Sequence, residues 1–100
     1  MINKEGFHFF KYNDELLFVD DSRPFDVRIY DEDNTKILSF DVGGNIIDDD
    51  IIVGKLYGQL FSWFFIDHNT AMHYLTSLDR LTAIMEATKF YLDYKDYDED

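Results

Sequence analysis

Residues 48–66 read DDDIIVGKLYGQLFSWFFI, and how this stretch folds decides the architecture of the chain. Three carboxylates stand at its start. An Asp at a helix N-cap accepts from free backbone N–H groups, and acids in the first turn favour the positive end of the helix dipole. Ile52, Leu56, Leu60 and Phe64 follow at helical spacing, as do Val53, Tyr57, Phe61 and Phe65. Lys55, Gln59 and Ser62 form a narrow polar stripe. The spacing predicts a central helix, apolar on most of its circumference and therefore covered on most sides. Gly54, Gly58 and Ser62 recur every four residues and would let a neighbouring backbone approach, either a sheet of the same chain or a second copy in a homodimer. The apolar run is shorter than the ~20 residues a bilayer span needs and is interrupted by Lys55 and Gln59.

On either side of this stretch the pattern changes. Upstream, GFHFFKY (residues 6–12) and Leu16 to Val19 read as two short strands around a turn at Asn13-Asp14-Glu15. Met1 to Glu5 reads as a frayed end. Phe25 to Tyr30 and Thr35 to Val42 alternate, with Phe25, Val27, Ile29, Leu38, Phe40 and Val42 on the apolar face. Pairing Tyr30 with Thr35 puts Val27 opposite Leu38 and Phe25 opposite Phe40, which gathers the apolar residues on one side. The opposite face then carries Asp26, Arg28, Tyr30, Ile37, Ser39 and Asp41. Downstream, Ala71 to Thr76 reads either as a fifth strand or as the first turns of a longer helix. From Ser77 on, Leu78, Leu81, Met85, Thr88 and Leu92 predict an amphipathic helix. Residues from about 95 to 100 read as a mobile acidic tail, and no internal repeat is apparent. Strands first and helices second predict a single α+β domain: an antiparallel sheet of four strands, or five, with two helices on one face.

The chain has 100 residues, 21 acids against 9 bases, a net charge of −12, 18% aromatic residues and no cysteine. Acidic disordered chains are poor in aromatics, so this combination indicates a folded domain. The charge opposes binding to nucleic acid or to anionic lipid, because phosphate contacts need Lys and Arg. A partner, if charge selects it, should be basic. The absence of cysteine excludes a thiol nucleophile and a cysteine metal site. No secretory signal is evident, which predicts a cytoplasmic protein.

Catalytic and metal motifs are missing. His68 and His73 are five apart, off a single helical face, and no HExxH, GxSxG or P-loop occurs. An EF-hand loop needs Gly at its sixth position and Glu at its twelfth. Counted from Asp31 these are Lys36 and Val42, and counted from Asp48 they are Val53 and Gln59. No enzyme activity, metal or cofactor is therefore expected.

The surface is what remains. Carboxylates alternating along a strand face lie about 6.6–6.8 Å apart, comparable to twice the ~3.4 Å axial rise per phosphate in B-DNA. The candidate partner-binding residues are Asp20, Asp21, Asp31, Glu32, Asp33, Asp48, Asp49, Asp50, Asp93, Asp96, Asp98, Glu99 and Asp100. Tyr30, Tyr94 and Tyr97 would give flat contacts beside them. In length, charge and aromatic content the chain resembles the small acidic inhibitors of phages and plasmids. That character implies a DNA mimic occupying the basic groove of a DNA-binding enzyme, in an anti-restriction or anti-CRISPR role. The competing readings are an immunity or antitoxin protein that neutralises a basic toxin nuclease, and a homodimeric structural or interaction domain.

Overall fold

The computed structural model describes residues 6–59 and 62–98. Met1 to Glu5, Leu60, Phe61, Glu99 and Asp100 lie outside the described residues. Among those described are eight strands, in chain order, and one helix, in place of the expected four- or five-stranded sheet with two helices. The chain divides into two compact units, one up to Val53 and one from Gly54.

The first unit holds β1 (His8–Tyr12), β2 (Glu15–Asp20), β3 (Asp26–Tyr30), β4 (Lys36–Asp41), β5 (Asn45–Asp48) and the first residues of β6 (Ile51–Gln59). Successive strands pair antiparallel with their chain neighbours. Opposed residues share a face, so the pairings set out the core in rows. Phe10 faces Leu17; Val19 faces Ile29, which faces Leu38; Val27 faces Phe40, which faces Ile46. All eight are buried, and fully burying each side chain of this kind is worth about 1.5–3 kcal/mol.

The β3–β4 register differs from the expected one by two residues: Val27 pairs with Phe40 and Ile29 with Leu38, and a bulge follows at Tyr30 and Lys36. A shift of two preserves the face of every side chain, which is why hydrophobic pattern alone did not distinguish the registers. Phe25 and Val42 fall outside the strands and are exposed, not part of the apolar face.

The largest correction concerns residues 48–66. The central helix does not form. Asp48 ends β5, and Asp49 (φ 52°) and Asp50 (φ 65°) make a two-residue hairpin turn, both in the left-handed region, as a type I′ turn requires. The acids expected to cap a helix thus turn a hairpin. The strand then takes Ile51, Ile52 and Val53, whose branched side chains favour extended backbone.

In the second unit β6 pairs with β7 (Ser62–Asp67), and β7 with β8 (Met72–Leu75). Of the two readings of residues 71–76, the strand is the one adopted. The glycine stripe dissolves in this arrangement. Gly58 lies opposite Trp63, and a Cβ on Gly58 would collide with the Trp63 ring at Cη2 and Cζ3. Leu56 and Phe65 are opposed and buried.

Helix α1 (Arg80–Asp98) starts three residues later than expected, because Asp79 caps it. Asp79 Oδ1 accepts from the Thr82 amide at 2.8 Å and its hydroxyl at 2.7 Å, which holds the carboxyl below its ordinary range. The buried line of α1 is Ala83, Ile84, Ala87 and Thr88, not the line through Leu78, which is exposed. Two alanines permit closer approach than the expected leucines. Phe90 packs against Phe65 and His73 with ring centroids 5.9 Å away from each, which puts α1 on the Phe65 face. No described helix is long and apolar enough to cross a membrane.

Candidate functional site

Three hairpin loops are built alike, and each consumes an aspartate. In 31–35, 41–45 and 67–71 the first residue is Asp, and its Oδ1 accepts from the amides two and four residues on. Its carbonyl accepts from the amide three residues on. That third residue is left-handed in each case: Asn34 (φ 64°), Gly44 (φ 88°) and Thr70 (φ 64°). The loop recurs as a turn chemistry in DEDNT, DVGGN and DHNTA, not as a repeated string of residues, so the sequence reading did not register it. The visible signal was an Asp at a strand end with Asn, Gly or Thr three residues later.

Asp41 shows the electrostatics. The Asn45 side-chain amide at 2.9 Å holds its carboxyl below the usual range, helped by backbone amides and opposed by burial. Burial pushes Asp67 up, but hydrogen bonds from His73, at 2.9 Å, and from the Ala71 and Asn69 amides outweigh it and hold the group low.

The first unit sorts its charges by end. Its strands alternate in direction, so the β1–β2, β3–β4 and β5–β6 turns emerge together. Asp14, Glu15, Asp31, Glu32, Asp33, Asp48, Asp49 and Asp50, eight carboxylates, sit at this end. Glu32 Oε1 accepts from the Leu16 amide at 2.8 Å, which ties the β3–β4 turn to the start of β2. Neighbouring turns on one end are two strand spacings apart, so the three clusters span about 20 Å. The same length of duplex DNA carries about twelve phosphates. Asp14, Glu15, Glu32, Asp33, Asp49 and Asp50 are exposed, with Lys11 and Lys36 at the adjoining strand ends.

Charges at the opposite end are paired. Arg23 and Arg28 grip Asp26 at 2.6 and 2.9 Å, and His8 lies 3.2 Å from Asp21. Burial raises Asp26, but Arg28 and Arg23 outweigh it and hold the carboxyl below its ordinary range. Asp20 accepts from the Ser22 amide and hydroxyl. Of the expected binding residues, Asp31, Glu32, Asp33, Asp48, Asp49 and Asp50 therefore come together, whereas Asp20 and Asp21 lie at the far end. The expected ladder of acids along a strand face is not what the strands present; the carboxylates gather in turns.

Tyr30 closes β3 at the acidic end. It faces Phe18, which faces Phe9, and stacks on Phe7 with centroids 6.1 Å apart. Phe9 is 66% exposed. Asp14, Glu15, Phe7, Phe9 and Phe18 are the members that sequence reasoning did not pick out. They could have been found from the parity of the turns and the period of two along β1 and β2.

In the second unit, Tyr94 hydroxyl accepts from Asn69 Nδ2 at 2.6 Å and meets the His68 ring edge-on, so it braces the 67–71 loop. Asp93 is exposed on α1. Asp96, Tyr97 and Asp98 fall within α1, but their side chains, like Glu99 and Asp100, lie outside the described residues. Among the described residues no group of three or more His, Asp and Glu side chains could hold a metal ion. Comparison with known protein families, with curated proteins and with solved structures finds no match to this chain.

Proposed function

We propose that this protein is a cytoplasmic protein–protein inhibitor whose acidic end occupies the basic groove of a nucleic-acid-binding enzyme, as a DNA mimic would. The observation that carries the reading is the Asp49–Asp50 turn. Both residues are left-handed, a conformation that costs an ordinary L-residue roughly 1–2 kcal/mol and Asp somewhat less. Asp48 adjoins them and adds like-charge repulsion. Asn-Gly would serve a hairpin here better. Acids kept at a cost to the fold, beside Asp31–Asp33 and Asp14–Glu15, are accounted for if a basic partner needs them. Eight carboxylates over about 20 Å approach the charge density of a duplex.

The mechanism is steric and electrostatic exclusion. The partner's field steers the encounter, and affinity falls as salt rises. Phe9 and the Phe7–Tyr30 stack favour a second reading, an immunity-type protein that holds a basic toxin nuclease by aromatic anchors within an acidic rim. Immobilised protein exposed to bacterial lysate at low salt separates the two. Under the first reading a basic DNA-binding enzyme is retained, is released by duplex DNA, and is lost from a variant carrying Asp33→Asn, Asp49→Asn and Asp50→Asn. Retention that DNA cannot displace, survives the triple variant and is abolished by Phe9→Ser selects the second reading.

A further inference from the structure

The first unit has an outer face, opposite its buried core, and the apolar residues of that face lie towards the acidic end. The pairings align Phe9, Phe18 and Tyr30 on it. Arg28, two residues from Tyr30 on β3, pairs with Ser39, which pairs with Ile47. The two-residue Asp49–Asp50 turn opposes Ile47 to Ile52 and carries the face on to β6. Phe9 is 66% and Ile52 60% exposed, and Phe18, Tyr30 and Ile47 are half-buried. Ser39, the small residue between Tyr30 and Ile47, is buried and floors the band. Farther from the turns the same face is ionic but internally matched, with Arg23 and Arg28 holding Asp26. The charge along the band is therefore set by the acidic turns, where Lys11 and Lys36 stand among eight carboxylates.

We infer that this band seats a basic amphipathic helix of the partner. The inference rests on the reading of the acidic end as a site for a basic protein, and adds what holds that protein once charge has steered it there. An apolar strip with carboxylates along one margin is complementary to a segment carrying apolar and cationic side chains side by side. An extended segment sends successive side chains to opposite sides, so cations between apolar residues that face the sheet would point away from it. A helix instead carries an apolar stripe with cations along its flank. Laid on the band, the stripe meets Phe9 and Ile52, and the flank reaches Asp33, Asp49 and Asp50. From β1 to β6 the band runs about 24 Å along the sheet, the length of a helix of about 16 residues.

The probe is a fluorescent peptide of leucine and arginine, designed as an amphipathic helix of that length, and its control is a scramble of the same composition that breaks the stripe. Anisotropy titrations with the full chain should show the helix binding at least tenfold more tightly than the scramble. Phe9→Ser and Ile52→Ser should each weaken the helix about tenfold, as losing the burial of one large apolar side chain does, and leave the scramble unaltered. Ile51 is 64% exposed beside the same acids but points to the other face of β6, so Ile51→Ser should change nothing. The combined Asp33→Asn, Asp49→Asn and Asp50→Asn variant should weaken helix and scramble alike, as should added salt. Far-UV circular dichroism should match the parent for every variant. Equal binding of the two peptides overturns the inference and leaves the acidic end its reading. So does a preference for the helix that survives Phe9→Ser and Ile52→Ser, or that falls as far with Ile51→Ser. Failure of both peptides to bind, or binding indifferent to the three asparagines, overturns the reading of the acidic end as well.

Discussion

Replacing Gly58 with Ala gives opposite outcomes for the two ways residues 48–66 could fold. In a helix, Gly→Ala would stabilise by about 1 kcal/mol. In the β6–β7 hairpin the new Cβ lands on the Trp63 ring, colliding with Cη2 and Cζ3 and reaching within 2.8 Å of Cε3. Contact under 3 Å forces the indole to move. Overpacking of this kind costs about 1–3 kcal/mol. Restricting the unfolded chain returns about 0.4–1 kcal/mol. The net expectation is a loss of about 1–2 kcal/mol, and each kcal/mol corresponds to about 4–8 °C in Tm for a chain of this size. Trp63 is the sole tryptophan, so its emission reports the displaced ring directly. Thermal melts of Gly58→Ala, Trp63→Ala and the double variant complete a cycle. In the Trp63→Ala background the alanine at 58 should be neutral or stabilising, because the obstacle is gone. A Gly58→Ala variant that is more stable than the parent, with unchanged tryptophan emission, would refute the reasoning.

Thr70 occupies the left-handed position that Asn34 and Gly44 hold in the sister loops, and a β-branched residue is strained there. Thr70→Asn should raise stability by about 1 kcal/mol, and Asn34→Thr should lower it similarly; chemical denaturation checks both. Asp41 has a depressed pKa in the folded state. Its contribution is therefore full above the unfolded value of about 3.9 and is lost as pH falls through the folded one. The stability gap between the parent and Asp41→Asn should stay level from neutral pH down to about 5 and close below about 4 in pH-dependent melts. Finally, Asp49→Asn with Asp50→Gly should stabilise the hairpin by about 1 kcal/mol while weakening capture of a basic partner. A stabilised variant that captures the partner undiminished removes the functional explanation for these acids.

Some features were legible in the sequence because they depend on local periodicity. Val27, Ile29, Leu38 and Phe40 alternate, and their shared buried face follows from the period of two. The C-terminal helix exists, although Asp79 and the buried Ala83–Ala87 line shift its start and its face. The middle of the chain was not legible in the same way. An apolar run with residues at i and i+4 also satisfies a strand buried in part on both faces, and periodicity cannot separate the two. Three consecutive aspartates serve a helix start or a hairpin turn. What decides between them is whether Trp63 packs on Gly58 from the neighbouring strand, a contact made only in three dimensions. The site divides in the same manner. Composition by itself determined that the chain is acidic, rich in aromatics and without catalytic motifs. Which carboxylates stand together depended on the number of strands, because each added strand reverses the end at which the next turn emerges. The parity of the first four strands already puts Asp14–Glu15 and Asp31–Asp33 at one end; only the tertiary structure, by adding β5, brought Asp48–Asp50 to the same end.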